Sequence, residues 1–78
     1  MENIITDTTA LRVKMLKKGY KTIVSLAESA GVDRNTLAKV LDGDTQPSTI
    51  VMKKLVYVLE LEPEEAGEIF FAKNLRNK

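Results

Sequence analysis

The apolar residues of the chain recur at spacings of three and four, which is the pattern of helices with one buried face. The clearest run lies past the middle of the chain, where the apolar positions are Met52, Leu55, Val56 and Leu59. No stretch alternates between apolar and polar residues for long enough to form a sheet. The pattern therefore predicts an all-α fold, a compact bundle of five helices.

Capping and breaking residues divide this pattern into five helices. Proline fits the first turn of a helix because its missing N–H needs no partner there, and short polar side chains cap helix starts. The residues that mark the helices are Thr8 or Thr9 at the start of the first and Gly19 at its end, Ile23–Ala30 for the second, Arg34–Leu41 for the third, Pro47 and Ser48 at the start of the fourth, and Pro63 at the start of the fifth. We expect one domain over residues 1–78, with a core at about 8–72 and mobile ends, MENIITD and NLRNK.

Residues 22–41, TIVSLAESAGVDRNTLAKVL, have the features of two short helices that cross around a tight turn. Ala27 is small enough to let the second helix approach, and Gly31 suits the left-handed conformation that ends the first helix. Asp33 can cap the next helix. The shared core of the pair is predicted to contain Leu26, Ala30, Val32, Leu37 and Val40. This arrangement is a helix-turn-helix, which in DNA-binding proteins places its second helix in the major groove.

The face of the second motif helix that remains exposed carries groups that suit base edges and phosphates. We expect Arg34 to read a guanine edge, Asn35 an adenine edge, and Lys39 a guanine edge or a nearby phosphate. Ala38 can contact a thymine methyl group. Weaker candidates for contact with phosphates are Lys17, Lys21, Thr22 and Thr36. This chemistry predicts binding to double-stranded DNA.

The chain resembles the lambda-repressor-like helix-turn-helix family, which includes phage repressors, Cro-type proteins and some antitoxins. The resemblance runs from about Leu11 to about Phe70 and is carried by LAESAGVDRNTLAKVLDG, the Pro47-Ser48 pair and KLVYVLELEPEE. It implies a domain that lays its second helix across the DNA backbone and its third in the major groove. The implied function is sequence-specific regulation of transcription, most often repression, in a phage or another mobile element.

Charge divides the chain into two halves of opposite sign. Residues 8–41 contain seven basic and two acidic residues, whereas residues 42–68 contain two basic and seven acidic ones. Because such a field steers a polyanion towards one face, the basic half is expected to hold the DNA surface. The acidic half is left available for a protein partner.

A second class of function, a protein-binding module such as an antitoxin or an antirepressor partner, stays open. Ile23 stands where many members of the family have a glutamine that binds a phosphate, and Asp42 follows the recognition helix where an acid would repel one. Both residues favour the protein-binding hypothesis. Selection of DNA from random duplexes distinguishes the two classes.

The end of the chain contains more apolar residues than one buried stripe of a short helix needs. The residues are Ile69, Phe70, Phe71, Ala72 and Leu75. Phe70 and Phe71 point about 100° apart on a helix, so one is expected in the core and the other outside. Two interpretations are open, a broad core-facing stripe that closes a small domain and a dimer seam. We prefer the second, which predicts a weak homodimer formed through Phe70, Phe71 and Leu75.

Composition excludes several classes of chemistry. The chain contains neither cysteine nor histidine, which removes disulfides, thiolate metal sites and the usual general base. We therefore expect no metal, no cofactor and no enzymatic activity. No run of eighteen apolar residues and no basic flank before an apolar leader is present, which favours a soluble protein of the cytoplasm.

Overall fold

Helices make up most of the part of the chain that the computed structural model describes, residues 4–73. In chain order the elements are β1 (Ile4–Ile5), α1 (Thr8–Lys17), α2 (Ile23–Ala30), α3 (Arg34–Leu41), α4 (Thr49–Leu59), α5 (Pro63–Phe70) and β2 (Ala72–Lys73). The predicted five-helix fold is confirmed, with a small two-stranded ribbon added to it. None of the helices between residues 4 and 73 is both long and apolar enough to cross a bilayer.

Side-chain caps set the starts of α1 to α4. In each of these helices the side-chain oxygen of the capping residue accepts a hydrogen bond from the backbone N–H three residues further along the chain, at 3.1 to 3.2 Å. The capping residues are Asp7, Thr22, Asp33 and Ser48. Asp7 caps α1, whereas the sequence had suggested Thr8 or Thr9, because its carboxylate reaches the N–H of Ala10 while Thr8 is already helical.

The core lies where the apolar faces of all five helices meet. Each helix contributes at least one side chain that is at most 1% exposed, and these are Leu11, Leu26, Leu37, Leu55 and Phe70. In the predicted apolar stripe of α4, Leu55 and Leu59 are fully buried, whereas Met52 and Val56 are partly buried and pack against the edge of the core. Burial of these side chains supplies the main stabilisation of the fold.

The two ends of the described chain pair with each other. Ile4 pairs with Lys73 and Ile5 with Ala72 in an antiparallel ribbon, and the N–H of Asp7 donates to the carbonyl of Ile69 at 2.7 Å. Residues 4–7 are therefore held in place, although the sequence favours a loose end.

The side-chain amide of Gln46 links the N-terminal segment to the end of α5. The buried Thr6 hydroxyl donates to Gln46 Oε1 at 3.0 Å, and Gln46 Nε2 donates to the carbonyl of Phe70. These bonds accompany the end of α5 at Phe70, so the helix does not continue through residues 71–73 as the apolar pattern suggested. Leu75 and the rest of NLRNK lie outside the described residues.

Gly31 ends α2 in the left-handed conformation that the sequence predicted, with φ of 72° and ψ of 36°. The N–H groups of Gly31 and Val32 both donate to the carbonyl of Ala27, at 2.9 and 3.0 Å. A Cβ at this position would meet no atom within 4 Å. The need for glycine is therefore conformational and not steric.

We expect Gly31→Val to lower the free energy of unfolding by about 1 to 3 kcal/mol, because a β-branched residue is strained at positive φ. Urea denaturation followed by circular dichroism measures this loss. Gly31→Asn is the matched control, since asparagine tolerates the left-handed region and should cost less. Equal stability of the valine variant and the parent protein would contradict this account of the turn.

Candidate nucleic-acid interface

The recognition helix α3 turns its apolar residues inward and a row of polar residues outward. Leu37, Val40 and Leu41 are buried, with at most 1% of each side chain exposed. Arg34, Asn35 and Lys39 are exposed, and Ala38 is partly exposed. Residues three and four apart are neighbours on a helix surface, so the four predicted base-reading residues form one continuous patch. The patch extends over about one and a half turns of helix, which suits insertion into a major groove.

A cation from α1 holds the C-terminal end of this helix. Arg12 Nη2 donates to the carbonyl of Leu41 and to Asp42 Oδ1, both at 3.1 Å. The positive charge also lies at the negative end of the α3 dipole, where it is favourable. Because Asp42 is paired with Arg12, its repulsion of a nearby phosphate is partly offset.

A second cation holds the end of α2 in the same way. Lys54 Nζ, from α4, donates to the carbonyl of Gly31 at 3.0 Å. The helix-turn-helix is thus fixed at both helix ends by side chains from outside the motif. Sequence reasoning missed both residues, because Arg12 and Lys54 lie 29 and 23 positions from their partners and nothing local signals the contact.

The other basic residues discussed so far fall into two groups, those that form an ion pair with an acid and those that do not. Lys14 pairs with Glu65 at 3.0 Å and Lys18 with Glu60 at 2.8 Å, which joins α1 to the acidic half of the chain. Within residues 4–73, none of the four predicted DNA-contacting cations forms a salt bridge, and these are Lys17, Lys21, Arg34 and Lys39. Their charge is therefore not offset by a carboxylate in contact.

The predicted phosphate contacts occupy different parts of the surface. Thr22 and Lys21 are exposed at the start of α2, where the Thr22 hydroxyl accepts the N–H of Ser25 at 3.1 Å. Thr36 is exposed in the first turn of α3, and its hydroxyl donates to Asp33 at 3.4 Å. Lys17 lies apart from these, along a groove between α1 and α5.

Ile23, which replaces the expected phosphate-binding glutamine, belongs to the packing of the domain. It is partly buried and lies against the core. Its apolar character is therefore explained by the fold, without any need for a protein partner at that position.

Phe70 and Phe71 have the opposite environments that the sequence predicted. Phe70 is 1% exposed and Phe71 is 58% exposed. Since α5 ends at Phe70, the exposed ring is presented by the residue that caps the helix. Ile4, on the neighbouring ribbon, is half exposed as well.

Taken together, the crossed helices and the polar face of α3 define a helix-turn-helix DNA-binding protein of the transcription-regulator class. No family model matches the chain, and no curated protein sequence matches it. The crystal structure of the restriction-modification controller protein C.AhdI from Aeromonas hydrophila is similar, with 30% identity and a TM-score of 0.67. The match covers 76% of this chain and 88% of that one. The chain belongs to the lambda-repressor-like helix-turn-helix family, as its sequence had indicated.

The ion pairs between α1 and the acidic half predict a response to acid. The hydrogen bond from Lys18 lowers the pKa of Glu60, and hydrogen bonds from the Glu62 N–H and from Lys14 lower the pKa of Glu65. A lowered pKa in the folded state stabilises the protein above the ordinary value of 4.5, and this stabilisation is lost as the pH falls through the lowered pKa.

We therefore expect the melting temperature to fall between pH 5 and about pH 3, and Glu65→Gln to make this fall smaller. The control is Glu64→Gln, which removes a neighbouring carboxylate for which no hydrogen bond is seen within residues 4–73. Thermal melts at half-unit steps of pH provide the comparison. A Glu65→Gln profile parallel to that of the parent protein would show that the pair contributes nothing.

Proposed function

We propose that this chain is a sequence-specific regulator of transcription that binds double-stranded DNA, with α3 in the major groove and α2 across the backbone. The observation that carries the proposal is the outward-facing row of Arg34, Asn35, Ala38 and Lys39 on a helix whose large apolar residues are all buried. The charge of the basic half supports the same surface, because it attracts a polyanion. This function needs no cofactor, and its site is the cytoplasm.

The name of the relative suggests the kind of gene that is controlled. C.AhdI is a restriction-modification controller protein. By analogy, we propose that this chain regulates genes close to its own on a phage or another mobile element, with repression as its main effect.

Each residue of the row has a proposed role. Arg34 donates two hydrogen bonds to a guanine, Asn35 pairs with an adenine edge, and Lys39 reaches a guanine or a phosphate. Ala38 lies between them and is small enough to contact a thymine methyl group. Phosphate contacts are proposed for Lys21 and Thr22 at the start of α2, for Thr36 in the first turn of α3, and for Lys17 beyond the motif.

We also propose that the protein binds as a homodimer. A two-fold dimer places two recognition helices on half-sites about one helical turn, or roughly 34 Å, apart, so the operator is expected to be an imperfect palindrome. The support for a dimer is the exposed ring of Phe71, an aromatic side chain that the fold leaves uncovered.

Two substitutions should affect DNA binding differently. Asn35→Ala removes a group that pairs with a base, so it should weaken binding to the selected operator by about 1 to 3 kcal/mol and leave binding to random DNA almost unchanged. Lys21→Ala should weaken binding to the operator and to random DNA alike. It should also reduce, by about one unit, the slope of log binding constant against log salt concentration, here called the salt slope. Selection from random duplexes, followed by titration at several salt concentrations, measures both effects.

Lys14→Ala and Lys17→Ala complete this set. Lys14→Ala changes the net charge by the same amount as Lys21→Ala. Because Lys14 is paired with Glu65, its removal should leave the salt slope unaltered. Lys17→Ala should act like Lys21→Ala if Lys17 contacts a phosphate and like Lys14→Ala if it does not.

If selection enriches no sequence, or if Asn35→Ala weakens binding to the operator and to random DNA equally, the assignment of α3 as the base-reading helix is wrong. The protein-binding hypothesis is then favoured.

Replacement of Phe71 should abolish self-association. We expect the parent protein to show a mass that rises with concentration in the micromolar range, and Phe71→Glu to remain a monomer, because a charge at the seam cannot be buried without a partner. Sedimentation equilibrium measures the mass. Leu16→Glu is the matched control, since Leu16 on α1 is 57% exposed, almost the same as Phe71. Equal association of the two variants would place the seam elsewhere.

A further inference from the structure

The outward-facing row of α3 continues into Asp42. Residues three and four apart are neighbours on a helix surface, so Asp42 lies next to Lys39 and Ala38. Its backbone is still helical, with φ of −87° and ψ of −6°, and its N–H donates to the carbonyl of Ala38 at 2.9 Å. The side chain of Asp42 is 59% exposed. A carboxylate therefore lies at the end of the row that is proposed to enter the major groove.

The guanidinium of Arg12 is held beside this carboxylate with part of its hydrogen-bonding capacity unused. Its Nη2 donates both to the carbonyl of Leu41 and to Asp42 Oδ1. A guanidinium has five N–H donors, and within residues 4–73 no hydrogen bond is seen from Nη1 or Nε of Arg12. Because the side chain is 45% exposed, these donors can bind an anion in addition to the two present partners.

A DNA phosphate is the anion expected at this place if α3 lies in the major groove. The two backbones of the duplex border the groove, so the end of a helix that lies in it is close to phosphates, and arginine is a favoured partner of phosphate. Asp42 opposes this contact, since a carboxylate 3.1 Å from the guanidinium offsets its positive charge and repels the phosphate.

We propose that Asp42 limits the DNA affinity of this protein by occupying the guanidinium of Arg12, a cation that would otherwise bind a phosphate at the end of the row. This inference rests on the proposed function and adds a residue that weakens its contact with DNA. Contacts with phosphates carry no sequence information. The carboxylate therefore lowers affinity for all duplexes and leaves the discrimination between operator and random DNA unchanged.

Asp42→Asn tests the proposal, because it retains the shape and an acceptor oxygen of the side chain and removes only the charge. On a random duplex at about 0.1 M salt the variant should bind about threefold tighter or more, and its salt slope should increase by about one unit, since Arg12 then displaces one more counterion. Binding to the operator should increase by the same factor. The melting temperature should shift by a few degrees at most, because an exposed ion pair contributes little to stability.

Two further variants separate the role of Arg12 from a general effect of charge. Asp44→Asn is the matched control, since Asp44 is exposed two residues further on and forms no salt bridge within residues 4–73. This variant should leave the salt slope unaltered. The double variant Arg12→Gln, Asp42→Asn should return the affinity for random DNA and the salt slope to the values of the parent protein, because the released cation is absent. Random DNA is the readout because a change in the orientation of α3 alters base reading first.

The outcomes separate this inference from the proposed function. A parent protein that binds no duplex at any salt concentration contradicts both. If the parent protein binds DNA and Asp42→Asn gains no more affinity than Asp44→Asn, Asp42 does not limit binding. If the gain persists in the double variant, Arg12 is not the cation that Asp42 occupies. Either of the last two results overturns this inference and leaves the proposed function intact.

Discussion

The left-handed turn at Gly31 is the constraint on which the arrangement of the motif depends. It ends α2 and redirects the chain so that Val32 enters the core and Asp33 caps the next helix. In this orientation of α3, Leu37, Val40 and Leu41 are buried in the core. The polar row that begins with Arg34 and Asn35 is then left on the outside as a consequence of packing.

Electrostatic contacts from outside the motif hold this arrangement in place. Arg12 and Lys54 bind the carbonyl ends of α3 and α2, and each cation also lies at the negative end of a helix dipole. Lys14 and Lys18 are paired with acids of the second half of the chain, whereas Lys21, Arg34 and Lys39 form no salt bridge within residues 4–73. Fewer cations are therefore left to attract DNA than the total for residues 8–41 indicates.

The C-terminal region shows how a small ribbon changes the surface of a helical domain. The hydrogen bonds of Thr6, Asp7 and Gln46 close the two ends of the described chain around the end of α5. Because the helix stops at Phe70, that ring is retained in the core while the next one is left at the surface. The ribbon and the end of α5 therefore leave one aromatic ring, Phe71, exposed at the surface.

The helices, the turn at Gly31 and the exposed row of α3 can all be predicted from the sequence. These depend on local signals, namely the spacing of apolar residues, the capping side chains and a glycine suited to positive φ, so they can be found without knowledge of distant contacts. Only the folded structure reveals the pairing of Ile4–Ile5 with Ala72–Lys73, the contacts of Arg12 and Lys54, and the packing of Ile23 against the core. Each of these joins residues far apart in the chain, and periodicity cannot specify such contacts because it describes one element at a time.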